Sequence, residues 1–500
     1  MTRECCGQGI ASSFLLAMTG VWRIYPPDSV FNATANLQLD HLMKEKIRIA
    51  SGQGFWGDLP SAPIDQIKRA DKNSPIDYMM MDYLAEVTMS IMQKQKLRDP
   101  KAGYARDLVE VIDAVLPDIV EKNIKIITNG GGVNPEGCRD AIFEVARRRG
   151  IPIKVGVVLG DNILDDIDPL LEQGHALKNM ETGDALKTVR DRVLSANVYF
   201  GAWPVVEALR QGAQIVITGR TTDTGLTLAP MIHEFGWTEE DWDRIAAGTV
   251  AGHILECGAQ SSGGNYSADW KSVKDFANIG FPIAEAYPDG SFVITKHPKT
   301  GGQVSRGTVA EQLLYEIGDP REYITPDVVA DFTSIQLEDL GKDRVRVYGI
   351  KGRPATEFYK VSMSYNDGFA AAGTLTYTWP DAMEKAKVAD KILRKRLEMQ
   401  GVKFDEFRTE FLGVDSCHGP LTPTRHEDVQ EVVVKWAVRG ADKKSLERFG
   451  KEIAPLILTG PPSVTGFAGG RPKPSDVVAY WPALLKKTAV TPRVVVTEVK

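Results

Sequence analysis

Five short apolar runs dominate the first half of the chain: Ile47–Ala50, Tyr78–Met81, Ile124–Thr128, Ile153–Val158 and Ile215–Thr218. Runs this short and this continuous read as strands buried on both faces. Between them lie helical patterns, most clearly Asp107–Lys122 and Pro135–Arg149, the latter closed by Gly150 at the C′ position. Buried strands separated by helices predict a parallel sheet with helices on both faces, Rossmann-like in kind. A helix over Asp241–Cys257 closes this unit. The second half changes character. Gly290–Lys296, Arg344–Ile350, Phe358–Tyr365, Gly373–Trp379, Arg408–Val414 and Val429–Val438 alternate or are β-rich, and helices follow at Asp381–Gln400 and Ala441–Ile453. That pattern predicts an α+β domain with a mixed or antiparallel sheet. The expected organisation is a loosely ordered extension over 1–45, an α/β domain over 46–270 and an α+β domain over 271–500. The boundary is expected between Ala268 and Phe281, and Gly460–Pro474 reads as an ordered surface loop.

Charge narrows the partners. Sixty basic residues stand against 66 acidic ones, a formal charge of −6, and no basic cluster of five or more residues occurs. Nucleic acid and anionic membranes are therefore poor candidates. Cys5, Cys6, Cys138, Cys257 and Cys417 show no C-x-x-C spacing, so a reducing, cytoplasmic setting is expected. Ile10–Trp22 is too short to span a bilayer and lacks the basic start and cleavage site of a secretory signal. Residues 1–42 thus read as an extension, or an upstream start, that the fold does not need. The Asn32–Thr34 sequon carries no meaning in a cytosolic protein. A homo-oligomer stays open.

Each of the five runs ends in a polar or glycine-rich turn. Those turns are Ser51–Asp58, Met81–Glu86, the segment Asn129–Asn134, Leu159–Asn162 and Thr218–Asp223. In a parallel sheet they fall on one edge, where open α/β folds bind small molecules. Asn134 stands where a helix N-cap belongs and Pro135 at the first helical position, so Asn129, Gly130, Gly131 and Asn134 are expected to cradle an anionic group. Gly52, Gly54, Trp56, Asp58, Asp161 and Thr222 join them as candidate substrate-binding residues. Gly52, Gly54 and Gly57 satisfy G-x-G-x-x-G, but Pro60 and Pro63 delay any helix, so the dinucleotide fingerprint fails in context. No FAD motif and no P-loop survive either, and the cofactor stays unknown.

Three clusters could carry chemistry. Asp82 and Glu86 at i, i+4 are either a cap and a dipole partner or a pair of cleft carboxylates. Arg220 and Asp223 are either a loop-holding ion pair or, through Arg220, a clamp on a substrate carboxylate or phosphate. His253, Glu256 and Cys257 share one helical face, so Cys257 could be a nucleophile activated by His253, or an inert buried thiol. A metal there would need a further ligand from Asp415–His418, and no metal site is assigned. Asn265, in the glycine-flanked loop Ser261–Asn265, could add backbone donors for an oxyanion.

The segments SGQGFWGD, DYLAEVTMSI, ITNGGGVNP, ITGRTTD, GHILECGAQSSGGN and VTGFAGGRPKPSDVVAYWP together resemble the acyclic terpene utilization (AtuA) family, over nearly all of Lys46–Lys500. Some relatives carry an additional small C-terminal domain of ferredoxin-like fold, which this chain is expected to lack. The resemblance implies a role in catabolism, in a pathway for citronellol- and geraniol-like terpenoids that runs through acyl-CoA thioesters and a carboxylated branched intermediate. It transfers no catalytic residue. The first reading is an enzyme acting on a branched carboxylic acid or its CoA thioester by hydratase, lyase or hydrolase chemistry, with Asp82, Glu86, Asp223, His253, Glu256 and Cys257 as candidate proton carriers or nucleophile. The second is a non-catalytic binding subunit of a carboxylase or hydratase. The third is a nucleotide-cofactor-dependent enzyme.

Overall fold

The computed structural model divides into two units, residues 1–42 and 43–500. It describes residues 44–422, 429–467 and 469–500. The expected extension and the Asn32–Thr34 sequon lie almost entirely outside the described residues.

Among the described residues, six strands occupy the first half: β1 (Ile47–Gln53), β2 (Tyr78–Met81), β3 (Lys125–Thr128), β4 (Ile153–Leu159), β5 (Val193–Val198) and β6 (Ile215–Thr218). All but β5 pair in parallel in the order β1-β2-β3-β6-β4, with Ile49 opposite Tyr78 and Ile126 opposite Ile215. The two-residue period explains why these runs are apolar throughout. Tyr78, Met80, Ile127 and Val216 point into one core, while Met79, Met81, Ile126, Ile215 and Ile217 point into the other. The helices Arg106–Glu121 and Pro135–Arg149 cover the second core, and Gly225–Phe235 with Trp242–Leu255 cover the first. Full burial of each such side chain contributes about 1.5–3 kcal/mol, and a one-residue slip would exchange every side chain between the two cores.

Beyond residue 280 follow β7 (Pro282–Ala286), β8 (Phe292–Lys296), β9 (Tyr323–Ile324), β10 (Val328–Asp331), β11 (Gln336–Asp339), β12 (Val345–Tyr348) and β13 (Lys351–Pro354). The remainder are β14 (Phe358–Thr378), β15 (Glu406–Leu412), β16 (Glu431–Gly440), β17 (Val464–Thr465), β18 (Ser475–Lys486) and β19 (Arg493–Val499). The parallel strands are only the middle of a mixed sheet. Antiparallel β7, β8, β12 and β11 extend it beyond β1, and antiparallel β19 pairs with β4 at the other edge. One ten-stranded sheet therefore contains strands from both sides of the expected boundary near residue 270.

A three-stranded antiparallel sheet is built from β9, β10 and β13. A third, also antiparallel, is organised on β14, which pairs with β5, β16, β17 and β18. β14 runs unbroken through the segment expected to separate two strands. The extra residues are taken up by a bulge between Asn366 and Phe369, where Gly368 has φ +85°. Among the described residues, no helix is long and apolar enough to cross a membrane.

Candidate functional site

At the carboxyl ends of the parallel strands lies a cleft of about 550 Å³. Its walls are the turn after β1 (Gly54, Phe55, Asp58), the turn after β2 (Asp82 to Glu86), the turn after β6 (Arg220, Asp223) and the segment 256–265, with Tyr315 and Glu316 at one side. Gly54 is required where the first turn meets the last segment, since a Cβ there would stand 2.6 Å from the Gly258 nitrogen. Gly252 serves the helix that delivers Glu256: a Cβ would meet Thr224 Cα at 2.5 Å.

The turns after β3 and β4 do not line this cleft; they hold up the turns that do. Asn129 is fully buried, accepts from the Tyr83 N–H at 2.7 Å and donates through Nδ2 to Asp82 Oδ1 at 2.6 Å. Asp161 Oδ2 accepts from the Arg220 N–H (2.7 Å) and from Asn197 Nδ2 (2.9 Å). Gly130 and Gly131 are packing glycines, a Cβ on Gly131 falling 2.6 Å from the Thr218 carbonyl. Asn134 caps the helix Pro135–Arg149 through the Gly137 N–H, and its Nδ2 donates to the Ala102 carbonyl. Asn129–Asn134, the expected anion cradle, thus serves as a structural joint in which the Asn129 and Asn134 side chains are engaged. Gly52 packs against Met79 and Met81, Trp56 donates to Asp107, and Thr222 bonds to Thr224, so these three are also absent from the lining.

The helix after β2 spans Glu86–Arg98 with Ala85 as its N-cap, so Asp82 lies outside it and neither caps it nor shares a helical face with Glu86. Asp82 is instead bent back on its own turn, Oδ1 accepting from the Leu84 N–H at 3.1 Å. Both of its hydrogen bonds fall on Oδ1; Oδ2 takes none among the described residues. Burial and the neighbouring Asp223 carboxylate hold the Asp82 carboxyl well above the usual carboxylate range, against the pull of Arg220.

Arg220 is the only cation in the lining among the described residues, and its terminal nitrogens are engaged while its buried Nε has no partner. Nη1 and Nη2 reach the two oxygens of Asp223 at 2.6 and 3.2 Å, Nη1 also donates to the Leu84 carbonyl at 2.9 Å, and the guanidinium lies 4.1 Å from the Tyr199 ring centroid. Of the two roles open to Arg220, the bonds to Asp223 and the Leu84 carbonyl match a loop-holding ion pair. Facing this single cation are Asp58, Asp82, Glu86, Asp223, Glu256 and Glu316. Such a cleft repels anions. Glu86 accepts from the Tyr199 hydroxyl at 3.1 Å; burial pushes its carboxyl up, but its own backbone N–H, Arg220 and Lys360 bring it below the ordinary value.

The helix Trp242–Leu255 ends just before Glu256. His253 Nε2 lies 2.9 Å from the Gln312 carbonyl, which can only accept, so that nitrogen carries a hydrogen. His253 Nδ1 lies 2.9 Å from Glu256 Oε1. Burial pushes the Glu256 carboxyl up; burial lowers His253, but its bonds to Glu256 and Gln312 more than offset this. Both shifts act the same way: the pair holds one proton more firmly than either group would alone. Glu256 Oε2 is buried without a partner, and Glu256 lines the cleft. Gln312 also donates to the His253 carbonyl (2.8 Å) and accepts from Gln260, which accepts from Asn265.

These bonds use both ring nitrogens of His253, so it cannot activate Cys257. Burial pushes that thiol up to about 12, so of the two readings of Cys257 the inert thiol is the one this geometry matches. Among the described residues no three His, Cys, Asp or Glu side chains are placed to hold a metal ion; Asp415–His418 does not complete such a set with His253. Sequence reasoning missed Tyr199, Lys360 and Gln312, which reach the site from distant segments and carry no local motif.

Fold and site together define a mixed α/β protein whose parallel strands end on a carboxyl-rich cleft with proton-holding side chains. The chain belongs to the acyclic terpene utilisation family: the family model described as acyclic terpene utilisation family protein AtuA matches residues 47–496. No curated protein and no solved structure matches it.

Proposed function

We propose that this chain is a catabolic enzyme that moves protons to and from an uncharged part of its substrate, in the manner of a hydratase or lyase. The observation that carries this reading is Glu256, whose Oε1 meets a buried histidine while Oε2 lies unpartnered at a cleft shared with the raised carboxyl of Asp82. Two carboxyls with different environments suit an acid and a base. With its proton parked on His253 Nδ1, Glu256 takes a proton from carbon; Asp82 Oδ2–H gives one to a departing hydroxyl, which leaves as water. The reverse sequence is hydration.

The acidic lining favours a branched acyl group in neutral form, for example as a thioester. The charged end of a free acid or of a coenzyme A ester would lie outside the cleft. Family membership supports the catabolic setting.

The test is deuterium exchange from solvent into the carbon next to the carbonyl of branched acyl thioesters, read by mass spectrometry. Exchange is expected with the unaltered protein and should fall at least ~100-fold in Glu256→Gln and in Asp82→Asn, within the usual range for loss of a general acid or base. Exchange that survives both substitutions overturns the assignment.

A further inference from the structure

A second cavity lies apart from the cleft at the strand ends. It measures about 690 Å³ and is enclosed by segments from across the chain: 201–207, 239–242, 326–327, 354–359, Lys487 and the start of β19. Its walls are aromatic and rigid, with Trp203, Trp242 and Tyr359 joined by Pro204, Pro326 and Pro354. Its charges are mostly negative. The buried Asp327 is satisfied, both oxygens accepting from the Ala202 N–H at 3.1 and 3.0 Å. Glu207, Glu239 and Glu240 also line the cavity, and none makes an ion pair within 4.0 Å among the described residues.

One protein-borne cation already uses this wall. The Lys487 ammonium lies 5.6 Å from the Tyr359 ring centroid and 2.6 Å from the Pro326 carbonyl. Lys487 also feels the Glu239 carboxylate, and Glu207 accepts from Gln211 Nε2 at 2.8 Å, while neither tryptophan has a cation over its ring among the described residues. Indole faces attract ammonium groups, and most strongly where water is thinned by neighbouring rings. Carboxylates at the rim add charge complementarity and draw cations inward.

We propose that this cavity is a second ligand site, separate from the cleft, and that it takes a small organic cation with an alkylammonium head. The head lies against Trp203 and Trp242, with Glu207, Glu239 and Glu240 as its counter-charges.

The test titrates the full chain with choline, following tryptophan fluorescence and heat, beside 3,3-dimethyl-1-butanol, the neutral isostere of choline. Saturable choline binding is expected, weakened roughly tenfold by Trp242→Ala, the scale of one partly desolvated cation–π contact. Glu239→Gln/Glu240→Gln, on an exposed segment, should weaken it comparably and serves if the tryptophan variant fails to fold. The isostere should bind much more weakly. No saturable binding, equal binding of the neutral isostere, or indifference to both variants overturns the proposal. So does a loss of choline binding in Glu256→Gln with Trp242→Ala unaffected, which would place the cation in the acidic cleft instead.

Discussion

Replacing Arg220 with methionine separates two descriptions of the cleft. The guanidinium makes two bonds to Asp223, one to the Leu84 carbonyl and a stack on Tyr199, and it is 2% exposed. Methionine keeps most of the stem and deletes all four contacts. Removing one member of a buried ion pair costs about 3–5 kcal/mol, and the lost ring contact, about 1–2 kcal/mol alone, overlaps with it. A total near ~4 kcal/mol is expected in urea unfolding at pH 7. Part of that cost is the stranded charge on Asp223, so it should shrink in the double variant Arg220→Met/Asp223→Asn. A loss below about 1 kcal/mol would equate this pair with an exposed one. A loss insensitive to Asp223→Asn would show that the guanidinium is not the counter-charge. Were Arg220 an anion clamp, the variant would instead lose affinity for carboxylate ligands with stability unchanged.

Other expectations are simpler to state. Burial lifts the Asp161 carboxyl from 3.8 to about 6 despite its bonds to Arg220 and Asn197. Its folded value exceeds the unfolded one, so this group's contribution is intact below the unfolded value and is lost as pH rises through about 6. Asp161→Asn keeps an acceptor and should flatten the stability profile between pH 4 and 7 by about 3 kcal/mol, measured by denaturation at several pH values; an unchanged slope would refute it. Gly131→Ala forces a Cβ to 2.6 Å from the Thr218 carbonyl and should cost about 1–3 kcal/mol in thermal unfolding. Cys257 should alkylate far more slowly than the exposed Cys417 at pH 7.5, and Cys257→Ala should retain turnover, because its thiol is held protonated.

The five apolar runs are legible in the sequence to within a few residues because each is buried on both faces and needs no partner information to look like a strand. Pro135–Arg149 is legible too, with Asn134 and Gly150 at its ends. The antiparallel additions are not. Arg493–Val499 is an ordinary β-rich run, and nothing local says that it pairs with β4. The Asn-Gly-Gly-Gly turn shows why strand-end motifs mislead: the same bare backbone that could admit a ligand here admits the Thr218 carbonyl. Glu256 was found because it sits three residues from His253 on a helix. Gln312, which orients that histidine, lies on another helix and left no mark nearby.

The pairing of β19 with β4 also has a consequence for how the chain is made. From Ile153 to Leu159 the outer edge of β4 faces a partner strand that is translated only after the whole span to Arg493. Until then a valine-rich strand offers open backbone groups to any passing edge, a hazard for a sheet that must wait. Synthesis of this protein therefore favours a holding chaperone or slow, late closure of the sheet, and a β19 deletion should be caught first as aggregate rather than as a weak enzyme.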